Sequence, residues 1–267
     1  MTDSPRLYMF QCGTLKCKLQ SIKMNTGLGE DYEIPVPWYV ITHPDGNVVI
    51  DGGNAPAVVA DPAAYWGETL AAAYWPEMTE DQAVVPQLEK AGFDPADVRW
   101  IVQSHLHIDH TGAAASIEHF PNAEVLVTRK EFEYAWTPDW FSTNSYVEPD
   151  FNDERIKWVL LEDDEDGYDI FGDGTLRCWY SPGHSPGHQS FTVKLPESGT
   201  YLLTVDAAYT TDHWNEEVLP GFMTSALETA RSVKKLHRIA ARENATVVTG
   251  HDPDAWGNFK QAPEFYA

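Results

Sequence analysis

The amino-acid sequence predicts an α/β fold. Short apolar runs stop at turn residues, one long segment carries helical spacing, and four of the runs end directly in histidine or aspartate. The first fifty residues read as β-strands, and WYVITHPDGNVVIDGG divides at Pro44-Asp45-Gly46-Asn47 into a hairpin. The second run of that hairpin stops at Asp51-Gly52-Gly53. Residues 54–83, rich in Ala, Trp and Tyr, read as an excursion of loop and helix. Thr79 is an N-cap for a helix ending near Gly92, and Pro86 either kinks that helix or marks its true first turn. A turn of helix at 95–98 leads into a strand at 100–103, with a helix at 111–119 and a strand at 123–128 following. Residues 131–151 hold seven aromatics with little periodicity. After an acidic, turn-rich stretch, 176–180 is a strand, and 191–195 and 201–205 form a second hairpin. Leu227, Ala230, Val233, Leu236 and Ile239 mark an amphipathic helix across 224–242, and 245–249 is the last strand. No repeat, low-complexity tract or linker interrupts the pattern, so residues 1–267 read as a single domain.

Composition excludes several partner classes. Asp and Glu number 41 against 18 Lys and Arg, a formal charge of −23 that two divalent cations would offset only in part. Such a field repels phosphate backbones and anionic headgroups, which argues against nucleic acid and membrane surfaces as partners. The first twenty residues show no basic stretch followed by an apolar core, and no apolar run approaches spanning length. Cys12, Cys17 and Cys178 are an odd count without a C-x-x-C pair, which predicts buried or incidental thiols rather than a disulfide framework. A cytoplasmic protein is the expectation.

The segment SHLHIDHTG, residues 104–112, concentrates His105, His107, Asp109 and His110 where a strand ends. In extended backbone, side chains at i and i+2 point the same way, so His105 and His107 can converge on one ion. Asp109 and His110 point differently and can serve a second ion. Imidazole nitrogen and carboxylate oxygen are the donors of hydrolytic zinc sites, whereas a solvated polar loop would not require this concentration. The runs WIVQ, LRCWY, YLLTV and ATVVT end respectively at this cluster, at His184, at Asp206 and at His251. If these strand ends share one edge, seven donors meet there, enough for two ions. Asp206 is the candidate bridge, because each carboxylate oxygen can hold one ion.

HLHIDH resembles the H-x-H-x-D-H signature of the metallo-β-lactamase superfamily, and His184, Asp206 and His251 match its later ligands. More narrowly, MTEDQAVVPQLEKAGFDPADVRWIVQSHLHIDHTG, SPGHSPGHQS, LLTVDAAYT and TGHD are similar to dinuclear N-acyl homoserine lactonases. The resemblance implies an αββα sandwich of two mixed β-sheets flanked by helices. It implies one ion on His105, His107 and His184, a second on Asp109, His110 and His251, and Asp206 between them. The implied reaction is ring opening of an acyl lactone, a small-molecule substrate, by a bridging hydroxide, the quorum-quenching reaction. In that reaction Tyr209 donates to the developing oxyanion and Asp109 passes a proton to the ring oxygen. Zinc is the leading metal, although Co, Mn and Fe accept the same donors. The chain departs from its relatives at Ile108, where a larger aromatic can occur, and in its aromatic segments, which bears on acyl-chain preference.

Asp51, at a strand end, is expected to orient a ligand histidine from behind, the alternative being a turn-forming Asp before Gly. His188 reads as a structural hydrogen-bonding histidine, and Tyr209 has the alternative of a packed core aromatic. Tyr65, Trp66, Tyr74, Trp75, Trp136, Trp140 and Phe141 can wall an acyl pocket, pack the core or form a homodimer contact. His43, His119, His213 and His237 show no partners in the sequence. Among rival activities, a glyoxalase II-like thioesterase uses a similar ligand set, but only 16 residues follow His251, too few for that family's extra domain. A β-lactamase would more often carry cysteine where Asp206 stands. The acidic balance disfavours a nuclease, and a flavodiiron-type protein would carry a carboxylate at position 107. A non-catalytic metal-binding scaffold is the reading from a different class.

Overall fold

The computed structural model describes residues 4–163 and 167–267, so three residues of the acidic stretch before Leu176 lie outside the described residues, as do the first three of the chain. Among the described residues, twelve strands make two sheets. The first contains β1 (Arg6–Lys18), β2 (Asp31–Thr42), β3 (Asn47–Ile50), β4 (Trp75–Glu77), β5 (Val98–Val102), β6 (Glu124–Thr128) and β7 (Trp158–Leu161) in the order β4-β1-β2-β3-β5-β6-β7. The second contains β8 (Tyr168–Asp169), β9 (Leu176–Tyr180), β10 (Gln189–Leu195), β11 (Gly199–Val205) and β12 (Thr246–Thr249) in the order β12-β11-β10-β9-β8. Both are mixed: β3, β5, β6 and β7 run parallel, as do β11 and β12, while the hairpins are antiparallel.

Strand periodicity produces the layers. Along β1, Leu7 and Met9 face one way and Tyr8 and Phe10 the other, all buried. The first pair joins Tyr39, Ile41, Val48, Ile50, Phe191, Val193 and Leu203 in a core between the sheets. The second pair joins Trp38, Val49 and Ile101 under the helical excursion, where Trp66, Leu70, Val84 and Leu88 cover the outer face. On the far side, Leu236 and Ile239 of the helix Ala226–Glu243 cover Trp179 and Leu202. Two sheets face each other and helices cover both outer faces, the αββα sandwich that the resemblance implied.

Several elements differ from the sequence reading. The Thr79 capping box starts only a 3-10 turn, Glu80–Gln82, and the α-helix is Val84–Lys90, with Pro86 inside its first turn. The segment 111–119 forms 3-10 turns across Ala114–His119 with a break at Ser116, not a helix. The aromatic stretch begins with a helix, Arg129–Trp136, in which Phe132 and Trp136 meet edge-to-face one turn apart at 6.2 Å. The sequence reading places no strand at β4, which falls in the excursion of loop and helix, nor at β7 and β8, which fall between residues 151 and 176. All three cysteines are free and buried.

Candidate metal centre

Four loops at one edge of the sandwich carry the site. The loop after β5 brings His105, His107, Asp109 and His110; those after β9, β11 and β12 bring His184, Asp206 and His251. Each backbone has a local reason for its shape. Asp51, after β3, adopts the left-handed region at φ 66°, which Asp tolerates. Gly112 must be glycine, since a Cβ would lie 2.3 Å from the Gly52 carbonyl oxygen. Val205, at φ 48°, is a β-branched residue in that same region, and the pairing register with β12 shifts beside it. That irregularity directs the next side chain, Asp206, into the cluster, a known use of strained backbone and bulges at functional sites.

All seven donors are buried, and they fall into groups. His184 Nε2 lies 3.0 Å from His105 Nε2 and 2.7 Å from His107 Nδ1. Asp109, His110 and His251 form a second group whose donor atoms all lie within 4.8 Å of one another. Asp206 stands between them with its oxygens divided. Its Oδ2 is 3.3 Å from His184 Nε2 and 3.7 Å from His105 Nε2, while Oδ1 is 3.1 Å from His251 Nε2 and 3.3 Å from His110 Nε2.

The outward nitrogens decide what the inward ones can do. His110 Nδ1 donates to Asp51 Oδ2 at 2.8 Å and His251 Nδ1 to the Pro35 carbonyl at 2.9 Å. Both partners only accept, so each Nε2 turns a lone pair inward when the ring is neutral. His105 Nδ1 meets Ser104 Oγ, and His184 Nδ1 meets the Tyr209 hydroxyl, each at 2.9 Å. His188 is used up: Nδ1 reaches the Ser181 carbonyl, and Nε2 accepts from the Asp206 amide. Asp51 also accepts from the Ser104 amide and hydroxyl, tying the first donor loop to β3.

The electrostatics suit cations. Burial and neighbouring imidazoles hold His105 and His107 well below the usual histidine range and push His184 down to about 4. These rings therefore stay neutral donors. Burial also works against charging His110 and His251, but Asp206 and Asp109 outweigh it and raise both. Asp206 is held well below the carboxylate range, its burial outweighed by His251, His110 and His184. His110 Nε2 and Asp206 Oδ1 are buried without a hydrogen-bond partner, a cost that a cation between them would remove. The donor set, N and O on convergent lone pairs with two carboxylates, fits divalent ions.

A cleft of about 70 Å³ opens beside the cluster, bordered by Tyr209, Asp109 and Ser145 and by an apolar side of Leu15, Ile22, Ile34, Leu70, Tyr74 and Phe222. This corrects the expected aromatic wall. Of the aromatics named from the sequence only Tyr74 borders the cleft; Tyr65 donates to Asp150, Trp66 is buried in the core, and Trp75, Trp136, Trp140 and Phe141 are exposed. Leu15, Ile34 and Ile22 of the apolar side come from β1, β2 and the short helix Leu19–Ile22, Leu70 comes from the helix Glu68–Ala73, and none carries a sequence signal that separates it from core. Of the remaining histidines, His43 stacks on Phe171, His119 is exposed, His213 contacts the Ile22 carbonyl and His237 that of Trp214.

Fold and site together define a metallo-beta-lactamase superfamily protein, and the model of that superfamily matches residues 31–251. Within it, the chain belongs to the N-acyl homoserine lactonase family. It is 59% identical to N-acyl homoserine lactonase AttM of Agrobacterium fabrum over the whole of both chains. It is 29% identical to N-acyl homoserine lactonase AiiA of Bacillus thuringiensis subsp. kurstaki, covering 97% of this chain and 98% of that one. A solved N-acyl homoserine lactone hydrolase, with the product N-hexanoyl-L-homoserine at its catalytic metal center, superposes with a TM-score of 0.87 at 26% identity, covering 99% of this chain and all of the other.

Proposed function

We propose that this protein is a dinuclear metal hydrolase that opens the lactone ring of N-acyl homoserine lactones. The observation that carries the dinuclear reading is the division of Asp206, one oxygen toward His105 and His184 and the other toward His110 and His251. His105, His107 and His184 would hold one ion, Asp109, His110 and His251 the other, and Asp206 both. Two such ions, zinc being the leading choice, supply Lewis acidity toward a carbonyl and acidified water for attack on an ester bond. The family relatives support the lactone as substrate.

The chain's own residues supply the rest. Burial keeps the Tyr209 phenol protonated by raising it well above its usual range, so its hydroxyl remains a donor at the edge of the cleft. The hydroxyl accepts from His184 Nδ1, and its proton, which rests on the Phe222 carbonyl at 3.4 Å, turns to the substrate's carbonyl oxygen as charge builds there. Asp109, also at the cleft, takes the remaining proton of the attacking water and passes it to the ring oxygen as the acyl carbon–oxygen bond breaks, so the product is a hydroxy acid. Leu15, Ile22, Ile34 and Leu70 present apolar surface to an acyl chain. The two faces of the first sheet share residues with both cores, which supports one domain throughout. The free thiols support a cytoplasmic location. No helix among the described residues is long and apolar enough to cross a membrane.

The test is hydrolysis followed by proton release, on metal-loaded protein, across acyl homoserine lactones, the bare lactone ring, thioesters, β-lactams and phosphodiesters. The proposal expects the acylated lactones to lead, with kcat/KM rising along the acyl series because each buried methylene contributes about 0.8 kcal/mol. A preference for thioesters would favour a glyoxalase II-like activity, and no turnover of any class would favour a metal-binding scaffold.

A further inference from the structure

Glu131 is a fully buried carboxylate that the reaction does not use and that no lysine, arginine or histidine pairs with among the described residues. It sits in the first turn of the helix Arg129–Trp136, where Thr128 caps its amide. Four donors converge on it. Oε1 accepts from the Leu106 amide at 3.1 Å and the Tyr146 hydroxyl at 2.9 Å. Oε2 accepts from Ser185 Oγ at 2.6 Å and the Gly187 amide at 3.1 Å. Position 187 must be glycine for this approach, because a Cβ there would lie 2.1 Å from the Glu131 amide nitrogen.

The two oxygens serve two different loops. Leu106 lies between His105 and His107, on the loop leaving the first sheet; Ser185 and Gly187 follow His184, on the loop leaving the second. Tyr146, held by the same carboxylate, packs its ring edge-to-face on His107 with centroids 4.7 Å apart. We infer that Glu131 is a positioning residue for the His105, His107 and His184 ion: it fixes the two loops against each other so that three nitrogens from two sheets converge on one point. The inference rests on the metal reading above and extends it to a residue outside the ligand set. A backbone bond from Gln189 to the Ser104 carbonyl ties the same loops farther along, so Glu131 sets the spacing at the histidine end.

Only a carboxylate fits. All four incoming groups donate, and two are backbone amides that cannot turn round. Glutamine keeps the shape, but its NH2 must face either the Leu106 or the Gly187 N–H, so one loop is released while the core stays filled. Partners that orient metal ligands from behind contribute roughly 10–100-fold to metal affinity.

The experiment is a zinc titration of purified full-length apoprotein against a chromogenic chelator, with cobalt absorption as the spectral readout and urea unfolding of the apoprotein beside it. Glu131→Gln is expected to bind one equivalent about 10–100-fold more weakly, with an altered cobalt spectrum and KM unchanged once metal saturates. Affinity and spectrum equal to wild type would overturn the inference, whatever the stability of the apoprotein, and return Glu131 to core packing. Should Glu131→Gln not fold, Ser185→Ala and Tyr146→Phe each remove one donor and are expected to weaken the same equivalent several-fold; unchanged affinity in both overturns the inference equally. Wild-type apoprotein that takes up no zinc in the same titration refutes the metal reading itself.

Discussion

Replacing Asp51 with asparagine tests how the second group of donors is prepared. Asp51 is 1% exposed, and it receives the Ser104 amide at 2.7 Å and the Ser104 hydroxyl and His110 Nδ1 at 2.8 Å each. Asparagine tolerates the left-handed backbone at φ 66°, so the loop need not move. With its oxygen on the Ser104 amide, its NH2 faces His110 Nδ1. Two donors cannot face each other, so the neutral His110 ring, the form that binds an ion, carries its proton on Nε2 and the lone pair leaves the cluster. Binding an ion then requires the mismatched tautomer, which leaves buried donors unsatisfied at about 1–3 kcal/mol each. At 1.4 kcal/mol per factor of ten, that is roughly 10–100-fold in affinity for the ion held by Asp109, His110 and His251. Nitrogen-15 NMR of the histidine rings in apoprotein, at a pH alkaline enough to deprotonate His110, reads the tautomer, and chelator competition reads the affinity. An unchanged His110 tautomer, or affinity within about threefold of wild type, would refute the reasoning.

Three further outcomes follow from particular contacts. Tyr209→Phe removes a hydroxyl 2.9 Å from His184 Nδ1 and is expected to lower kcat/KM by about tenfold or more, less than the 2.7–4 kcal/mol of a sole oxyanion donor because an ion shares that charge. Wild-type kcat/KM with both ions bound would return Tyr209 to packing. Asp150 is buried, which pushes its carboxyl up to about 6 although the Thr111 and Tyr65 hydroxyls pull it back. With the folded value above the unfolded one, its contribution is present at low pH and lost as pH rises from about 4 through 6, so Asp150→Asn should gain up to about 3 kcal/mol on wild type between pH 4 and 7. Urea unfolding at both ends of that range checks it, and a pH-independent difference would contradict it. Asp206→Ala should lose at least one ion and most activity, as no other donor faces both groups; retention of two ions in elemental analysis would contradict it.

Much of the fold was legible because its signals are local. Apolar runs broken by turn residues gave the central strands, and the donors stood out because histidine and aspartate do not otherwise crowd strand ends. The elements that escaped have physical reasons. β4 is three residues long and contains Pro76, and β8 is two residues, so neither shows alternation. In the helix Arg129–Trp136 the aromatics Phe132, Tyr134 and Trp136 alternate, which resembles a strand, and Glu131 beside them looks like any surface acid. The cleft's apolar side includes Leu15 and Ile34, which alternate like core residues of β1 and β2; only the tertiary arrangement shows that they border the donors. The exposed aromatics were conspicuous in composition and absent from the cleft for the converse reason, since composition carries no direction.

The central claim is that two ions held by these seven residues act together on an acyl lactone. It is tested most directly by adding metal stepwise to metal-free protein and measuring N-acyl homoserine lactone hydrolysis at each step. Activity is expected to climb until two equivalents per chain are bound and then to stay level. Full activity at one equivalent, or turnover undiminished in the metal-free protein, would contradict it.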